Sequence, residues 1–504
     1  MEILHNLAFG FEHALTLNNL MFCAIGCIAG TIVGLLPGLG PLATISLLLP
    51  LTYSIPVDGA IIMLAGIYYG AMYGENVSAI TMKIPHASSI VMCIDGYALT
   101  SKNKTGLALF TAGVSSFIGG TVALVVLATL APPLGKVALL FGPADYAALM
   151  LFGFVCVSLV ATDSLVNGLS MCLLGVLLGQ VGTDVTSGVE RFTFGLHLVA
   201  DGIGLVSVAL GCFGVAGIAK NLDNRDHRSP FRGKINLIPS WPDFKRILPS
   251  ALRGGVVGSA MGLLPGGGPV IAQFTAYAID KKVSKHKNEI GTGAIEGVAG
   301  PAAADEAAAR TSFIPLMSIG IPENAVMALM MAAFIIKGIQ PGPNMIAQHP
   351  HLFWGLVASM WIGNCFLLFL NLPLVRYWLS VLNLPYNVLF PAILFFCCIG
   401  TYSINNNVLD VLITAGFGLV GYLFIRLQLD PAPLLLGFIL GPMLEENFRR
   451  ALLLSQGDFR VFVSEPISGT LLGLIALFIS WQVINYFRAR RRPPRNPDVA
   501  LEPQ

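Results

Sequence analysis

Gly30-Thr-Ile-Val-Gly-Leu-Leu-Pro-Gly-Leu-Gly-Pro41 returns later in the chain as Gly258-Ser-Ala-Met-Gly-Leu-Leu-Pro-Gly-Gly-Gly-Pro269, with eight of the twelve positions identical at a constant offset of 228. Each copy lies inside an apolar run, and its Pro-Gly-x-Gly-Pro string interrupts any helix that enters it. Proline removes a backbone donor and clashes with the preceding turn, while glycine adopts conformations that other residues avoid. A helix broken inside a bilayer leaves N–H and C=O groups without intrahelical partners, which is tolerable only where the break is buried in protein or lines a wet cavity. Two such breaks at matching points of two halves point to a secondary transporter with its binding site at the breaks.

Composition places these breaks in a membrane. The 504 residues are 55% hydrophobic and only 11% charged, with a mean hydropathy of +0.76, whereas a soluble domain carries roughly 25% charged residues. Apolar runs such as 121–131, 147–161, 353–372 and 467–487 fill most of the sequence. A spanning helix needs about 20 such residues, so the chain reads as an all-α polytopic integral membrane protein with about 10–12 transmembrane helices. The expected organisation is a first membrane repeat over 1–219 with its break near 37–41, then a basic connector over 220–253. A second repeat over 254–487 follows, with its break near 265–269 and the C-terminal helices, and a basic tail closes the chain over 488–504.

Charge orients this plan. Lys220, Arg225, Arg228, Arg232, Lys234, Lys245, Arg246 and Arg253 crowd the connector, and the tail reads Arg488-Ala-Arg-Arg-Arg-Pro-Pro-Arg495. Basic loops stay in the cytoplasm, so connector and C-terminus are placed inside. Each cluster adjoins a membrane segment, which argues for lipid rather than nucleic acid as its neighbour. The loop after the first break, Tyr53–Asp58, has no basic residue, whereas its counterpart Asp280-Lys-Lys-Val-Ser-Lys-His-Lys287 is strongly basic. Conversely, Lys102 and Lys104 answer to the stretch 340–351, which has neither Lys nor Arg, although Lys337 just before it blurs the contrast. Equivalent loops on opposite sides are the mark of an inverted-topology repeat, since a parallel repeat would put them on the same side. A second anchor agrees: Ile84-Pro85 with Val91-Met92 resembles Ile321-Pro322 with Val326-Met327.

The candidate site follows from the breaks and from charges at membrane depth, which are costly and therefore functional or paired. Half-helix N-termini carry partial positive charge that suits an anion, and carbonyl ends suit a sodium ion. Pro37, Gly38, Gly40, Pro265, Gly266, Gly267 and Gly268 would let a solute approach the backbone; the alternative role of the glycines is close helix packing. Glu75, Lys83 and His86 in the first copy, and Asp305, Glu306, Arg310 and Glu323 in the second, are the buried-charge candidates, with Pro85 and Pro322 beside them. Glu306 and Arg310 stand four apart and pair on one helix face in the simpler reading. Glu75 and Lys83 are candidate partners across a hairpin. Asn76 and Ser78 offer neutral donors and acceptors, or cap a broken end.

Other classes find little support. Eight of the nine cysteines lie in apolar runs without metal spacing and read as packing. Residues 1–17 hold no Lys or Arg, so they do not form a secretory signal, and Phe9, Phe11 and Leu15 suit an interfacial helix. Walker A, His-Glu-x-x-His and Gly-x-Ser-x-Gly strings are missing from the sequence. The chain is expected not to be an enzyme and to need no cofactor beyond a coupling Na+ or H+. A channel, a membrane subunit energised otherwise, and a non-transporting scaffold or sensor are the competing readings.

The Leu-Pro-Gly-x-Gly pair, Tyr68-Tyr-Gly-Ala-Met-Tyr-Gly74, Asp95-Gly-Tyr97, Arg191-Phe-Thr-Phe-Gly195, Ile295-Glu-Gly-Val-Ala299, Ile314-Pro-Leu316, Gly320-Ile-Pro322, Tyr402-Ser-Ile-Asn-Asn406 and Leu436-Gly-Phe-Ile-Leu-Gly-Pro-Met-Leu-Glu-Glu446 resemble, in order, the large permease subunit of the tripartite tricarboxylate transporters. The resemblance implies a bacterial inner-membrane secondary transporter that imports carboxylates on a cation gradient by alternating access. It also implies two partners, a small four-helix membrane subunit and a periplasmic solute-binding protein. A homodimer is compatible with this reading, although no residue marks it. The sequence departs from the family pattern at the presumed site. Glu75 and Glu323 stand where the family has glycine, Lys83-Ile-Pro-His86 replaces Asn-x-Pro-Gly, and Pro301-Ala-Ala-Ala-Asp-Glu306 replaces Pro-Glu-Ala-Ala-Asn-Asn. A tricarboxylate would meet this added negative charge unfavourably unless the acids are paired or protonated. The expected solute is therefore a carboxylate or a related small polar molecule.

Overall fold

The computed structural model describes residues 2–36, 40–84, 86, 88–160, 165–184, 187–195, 199–223, 239–264, 266, 268–381, 391, 394–395, 397–402 and 406–490. Pro37, Gly38, Pro85, Pro265 and Gly267 lie outside them, as do 224–238 of the connector and the tail from 491. Among the described residues, strand is confined to Gly182–Thr183 pairing antiparallel with Glu190–Arg191. Everything else of regular structure is helix, as the composition requires of a chain that must satisfy its backbone without water.

The chain opens with α1 (Glu2–Ala14) and α2 (Leu17–Leu35), which stops ahead of the first break. Beyond it, α3 (Pro41–Leu48) has Gly40 as N-cap and Pro41 in its first turn, where a missing N–H costs nothing. Then come α4 (Val57–Met82), α5 (Met92–Ser101), α6 (Thr105–Ala138), α7 (Pro143–Val160) and α8 (Leu165–Gly179). Next, α9 (Leu205–Ala209) runs through a π-helical turn (Leu210–Val215) into α10 (Ala216–Asp223). The second break separates α11 (Trp241–Met261) from α12 (Gly268–Val283), and α13 (Glu296–Thr311), α14 (Phe313–Ser318) and α15 (Ala325–Ile336) follow. Further on lie α16 (Met345–Gln348), α17 (Pro350–Val381), α18 (Val408–Arg426), α19 (Ala432–Leu454), α20 (Val461–Ser464) and α21 (Pro466–Arg490).

Among the described residues, five stretches have the length and apolarity to cross a membrane: Leu17–Leu35, Val57–Met82, Thr105–Ala138, Pro350–Phe369 and Val408–Arg426. Shorter apolar stretches of 10–17 described residues stand beside them, so a total of ten to twelve crossings would have to count short stretches beside long ones. Two boundaries drawn from charge fall within helices: 219/220 lies in α10 and 253/254 in α11. Arg246 and Arg253 explain the second, because they sit on α11 itself. Arg246 binds Glu296 at 2.8 Å and Glu289 at 3.0 Å, while Arg253 binds Asp280 at 2.6 Å. The structure divides into two bodies, one of 1–140 with 156–442 and one of 141–155 with 443–504. In the smaller, Asp145 accepts hydrogen bonds from Gly142 N and Ser468 N at 2.9 and 2.8 Å.

Two helix pairs of the larger body are packed by one device. A Cβ at Gly26, Gly30 or Gly34 of α2 would overlap the carbonyl of Met63, Ile67 or Ala71 of α4. A Cβ at Gly254, Gly258 or Gly262 of α11 would overlap the carbonyl of Gly300, Ala304 or Ala308 of α13. Glycines four residues apart bring backbones together, the source of packing strength where lipid is as apolar as leucine. The glycines of α2 and α11 correspond at offset 228, and the residues they touch correspond at 237. The loops also sort by charge. Lys102 Nζ donates to Thr292 O at 2.6 Å, and Asp95 accepts from the N–H groups of Gly291, Gly293 and Ala294, so the two basic loops lie together. Lys337 Nζ donates to Tyr53 O and Ile55 O at 2.8 and 2.6 Å, and His351 Nε2 lies 3.9 Å from Asp58 Oδ1, which joins the other two loops.

Gly30→Val and Gly258→Val should each cost about 3 kcal/mol or more, the upper range for overpacking, because backbone rather than a flexible side chain stands in the way. The thermal midpoint of the detergent-solubilised protein measures this against Gly416→Val, where a Cβ would meet nothing within 4 Å.

Candidate functional site

All 16 residues of α13 are buried, as is α4 from Gly59 to Thr81. The alanines of α13 let neighbours close in on every side, and its polar residues must then find partners within the protein. Arg310 and Glu306 form the expected pair one turn apart. Arg310 Nη1 also donates to the Glu306 carbonyl at 3.0 Å and Nη2 to Asn364 Oδ1 of α17 at 3.1 Å, while its Cζ lies 5.0 Å from the Tyr69 ring of α4. Asn364 passes the link on, donating to Phe117 O of α6 at 2.9 Å. A Cβ at Gly120 would come within 2.8 Å of Arg310 Cζ, so the missing side chain there houses the guanidinium. The pair is a bracket across four helices.

Asp305 is different. It is fully buried, and neither carboxyl oxygen has a hydrogen-bond partner among the described residues. Glu306, Glu75 and Asn76 are the neighbours that act on it, with Arg310 beyond them. Both amide atoms of Asn76 are likewise buried and without a partner. Beside it, Glu75 accepts a hydrogen bond from Ser88 Oγ through Oε2, while Oε1 has no donor and lies 3.7 Å from His86 Nδ1. Ser78 Oγ donates to Glu75 O at 2.9 Å and lies 3.2 Å from His86 Nε2. Two expectations are corrected here. Asn76 and Ser78 cap nothing, because α4 continues past them to Met82. Lys83 does not pair with Glu75: it ends α4 in the left-handed conformation (φ 55°), is exposed, and extends over the Tyr97 ring at 5.6 Å.

At the second break, Glu323 closes on the chain that opened there. Its Oε1 accepts from Gly268 N at 2.6 Å, and its carbonyl accepts from Gly266 N at 3.1 Å. Gly266 and Gly268 hold φ of 74° and 45°, a region glycine enters without strain. Pro322 is buried just before Glu323, and Asn324 just after it caps α15 by accepting from Met327 N at 3.0 Å. Ser312 and Tyr68 flank the same carboxyl. Tyr68 is acted on by Asp305 as well, so one polar cluster joins the two breaks.

The repeat makes this arrangement intelligible. At offset 228 Gly40 corresponds to Gly268, and at 237 Glu75 corresponds to Ser312 and His86 to Glu323. A Cβ at Gly40 would lie 3.4 Å from Glu75 Oε1, and one at Gly268 would lie 3.7 Å from Glu323 Oε1. Each half-helix thus starts near a carboxyl, supplied by the first-half member of one equivalent pair (Glu75 and Ser312) and the second-half member of another (His86 and Glu323). A helix N-terminus holds a carboxylate through its free N–H groups and its dipole. Asp305 and Asn76 place buried acceptors and an amide donor beside these carboxyls. Among the described residues no group of three or more His, Cys, Asp or Glu is placed to hold a metal ion. Ser88, Tyr68, Ser312 and Asn324 were not singled out in the sequence; the second offset, already present in Ile84-Pro85 and Ile321-Pro322, would have led to Ser312.

A model of the family described as "Tripartite tricarboxylate transporter TctA family" matches residues 20–436. The chain is 49% identical over 493 residues to an uncharacterised 52.8 kDa protein in the TAR-I ttuC' 3' region of Agrobacterium vitis, covering 97% of this chain and 98% of the relative. It is 54% identical over 234 residues to an uncharacterised protein in the TAR-II ttuC' 3' region of the same organism, covering 46% of this chain and 97% of that relative. No solved structure matches.

Breaking the buried bracket by Glu306→Gln or Arg310→Met should cost about 3–5 kcal/mol, since either leaves an uncompensated polar group. The double variant Glu306→Leu/Arg310→Met should recover most of that loss. Unfolding midpoints of the three proteins decide whether the pair acts as a bracket.

Proposed function

Because the chain belongs to the tripartite tricarboxylate transporter TctA family, we propose that it is the large permease subunit of a binding-protein-dependent secondary transporter. It imports a carboxylate or related small polar solute across the bacterial inner membrane on a sodium or proton gradient. A small four-helix membrane subunit and a periplasmic solute-binding protein complete the system. The observation that carries this reading is the cluster joining two equivalent helix breaks, in which Asp305 is fully buried beside Glu75 and Glu306 with Asn76 as the neutral group next to it. Buried polar groups are expensive in a fold's resting state and are repaid when a ligand arrives. Gly40, Gly266 and Gly268 expose the backbone to that ligand, Glu75, Glu323 and Asp305 set its charge environment, and Ser78 orients His86. Glu306 and Arg310 hold the surrounding helices in place. Pro37, Gly38, Pro85, Pro265 and Gly267 are assigned to the site from the sequence repeat alone and lie outside the described residues.

The two repeats have inverted topology in this reading, and alternating access moves the broken segments past a static bundle. Support comes from the grouping of loops, with the basic pair together and the other pair together. Residues 56 and 285 should therefore be labelled from opposite faces. With Pro56→Cys and Lys285→Cys in whole cells, an impermeant maleimide should reach only the first. Labelling of both from one side would exclude inversion.

Function is tested in proteoliposomes holding the complete three-component system without nucleotide. An inward sodium or proton gradient should drive accumulation of one or more labelled di- or tricarboxylates. If neither gradient drives any uptake above that of protein-free vesicles, the carrier reading fails.

A further inference from the structure

The two halves match at one more point, away from the breaks and the buried cluster. Lys102 ends α5 and Lys337 ends α15, and the two positions correspond at offset 235, the spacing that already relates Val91-Met92 to Val326-Met327. Both helices close by the same cap. Asn103 and Gly338 follow the lysines in the left-handed conformation, at φ of 59° and 76°. Lys104 N donates to Leu99 O and Asn103 N to Thr100 O; at the matching positions Ile339 N donates to Phe334 O and Gly338 N to Ile335 O, all four at 2.9 Å. A left-handed residue with these two bonds is the Schellman ending, so the two lysines leave their helices in the same local geometry.

What each lysine holds is also matched, and crossed. Lys102 Nζ, of the first half, donates to Thr292 O, just ahead of α13 in the second, at 2.6 Å. Lys337 Nζ, of the second half, donates to Ile55 O, just ahead of α4 in the first, at 2.6 Å, and to Tyr53 O at 2.8 Å. Ile55 and Thr292 correspond at 237, the offset of α4 and α13 themselves. The loop held by Lys337 follows the half-helix of the first break, and the loop held by Lys102 follows that of the second. Each half therefore reaches across to the far end of the other half's broken segment.

We propose that Lys102 and Lys337 are a matched pair of latches, each closing one face of the carrier over the polar cluster. The proposal rests on the inverted-topology, alternating-access reading given above and adds which side chains do the gating. With both latches fastened, Glu75, Asp305 and Glu323 keep no more than 1% of their surface exposed. Access from one face requires the latch on that face to let go while its twin holds. The bonds suit repeated release. Each is made by one flexible ammonium to backbone carbonyls, and a hydrogen bond of ordinary net strength shifts an equilibrium about fivefold. The contacts of α2 on α4 and of α11 on α13 bring backbone against backbone instead, and hold those pairs together while the ends move. The basic face has a further hold, because Asp95 accepts from the N–H groups of Gly291, Gly293 and Ala294 and from the Tyr277 hydroxyl. At offset 235 its counterpart is Met330, which offers no such acceptor. Lys102 and Lys337 are positioning residues: they touch the segments that form the breaks, not the solute.

The side from which the cluster becomes reachable distinguishes a latch from a brace. Ser312→Cys places a thiol in the buried cluster, and its reaction with an impermeant maleimide is followed in right-side-out and inside-out membrane vesicles of the full-length protein. Mass spectrometry of the labelled peptide reads that position alone, so the nine native cysteines stay. Lys337→Met should raise the labelling rate about fivefold from the face that carries residue 56, and leave the rate from the other face unchanged. Lys102→Met should do the same from the face that carries residue 285, by about twofold to fivefold because Asp95 stays. Lys102→Arg and Lys337→Arg, which keep a charged donor, should label as the parent does. A contact that merely stabilised the fold would raise labelling from both faces alike, and that outcome overturns the proposal. It is equally overturned if neither Met variant changes the rate, if a variant opens the face opposite to its own, or if the Arg variants behave as the Met variants do. No gradient, solute or partner enters the measurement, and labelling of positions 56 and 285 fixes the faces independently, so failure of the carrier or topology reading shows there and not in these rates.

Discussion

An opened backbone in apolar surroundings must be closed by something, and much else in this structure follows from how that is done. Two helices end at a glycine-rich break, and the segment beyond each break must start without the helix that preceded it. Glu323 supplies the closure at one break, while at the other Glu75 lies against Gly40. Because a carboxylate is itself costly to bury, each closure brings further polar groups inward. His86, Ser78 and Ser88 gather on one side, and Ser312, Tyr68 and Asn324 on the other. The glycine contacts of α2 on α4 and α11 on α13 hold the backbones close enough for these short side chains to meet.

The buried acids therefore have unlike roles despite their proximity in sequence. Glu306 is neutralised by Arg310 and ties α13 to α4, α6 and α17. Its neighbour Asp305 points away from that bracket and is left without a partner. Consecutive helical residues project about 100° apart, so one residue decides between structure and site. The alanines around them are the condition for both roles, since larger side chains would keep α11 and α6 from enclosing α13.

Much of this was legible in the sequence. Membrane class and all-helical architecture follow from composition, and the two breaks from a twelve-residue echo. The Glu306–Arg310 pair follows from a spacing of four. What could not be read was orientation around each helix. Lys83 and Glu75 are close in sequence, but the left-handed end of α4 turns the lysine outward onto Tyr97 and brings His86 back instead. The spacing of Gly26, Gly30 and Gly34 was visible, yet which helix these residues face depends on tertiary packing. Arg246 and Arg253, read as part of the basic connector, are fastened to Glu296 and Asp280 of the second half from positions on α11 rather than from a loop.

The correspondence between the halves grows from 228 at the breaks to 237 at the helices they pack on, so the second half has nine more residues between Gly268 and Gly300. They accompany a longer half-helix, 16 residues in α12 against eight in α3. A machine assembled from two identical halves has end states of equal energy by symmetry alone. Lengthening one arm removes that degeneracy. In the alternating-access carrier proposed above, nine additional residues in one arm would make the two end states unequal in energy.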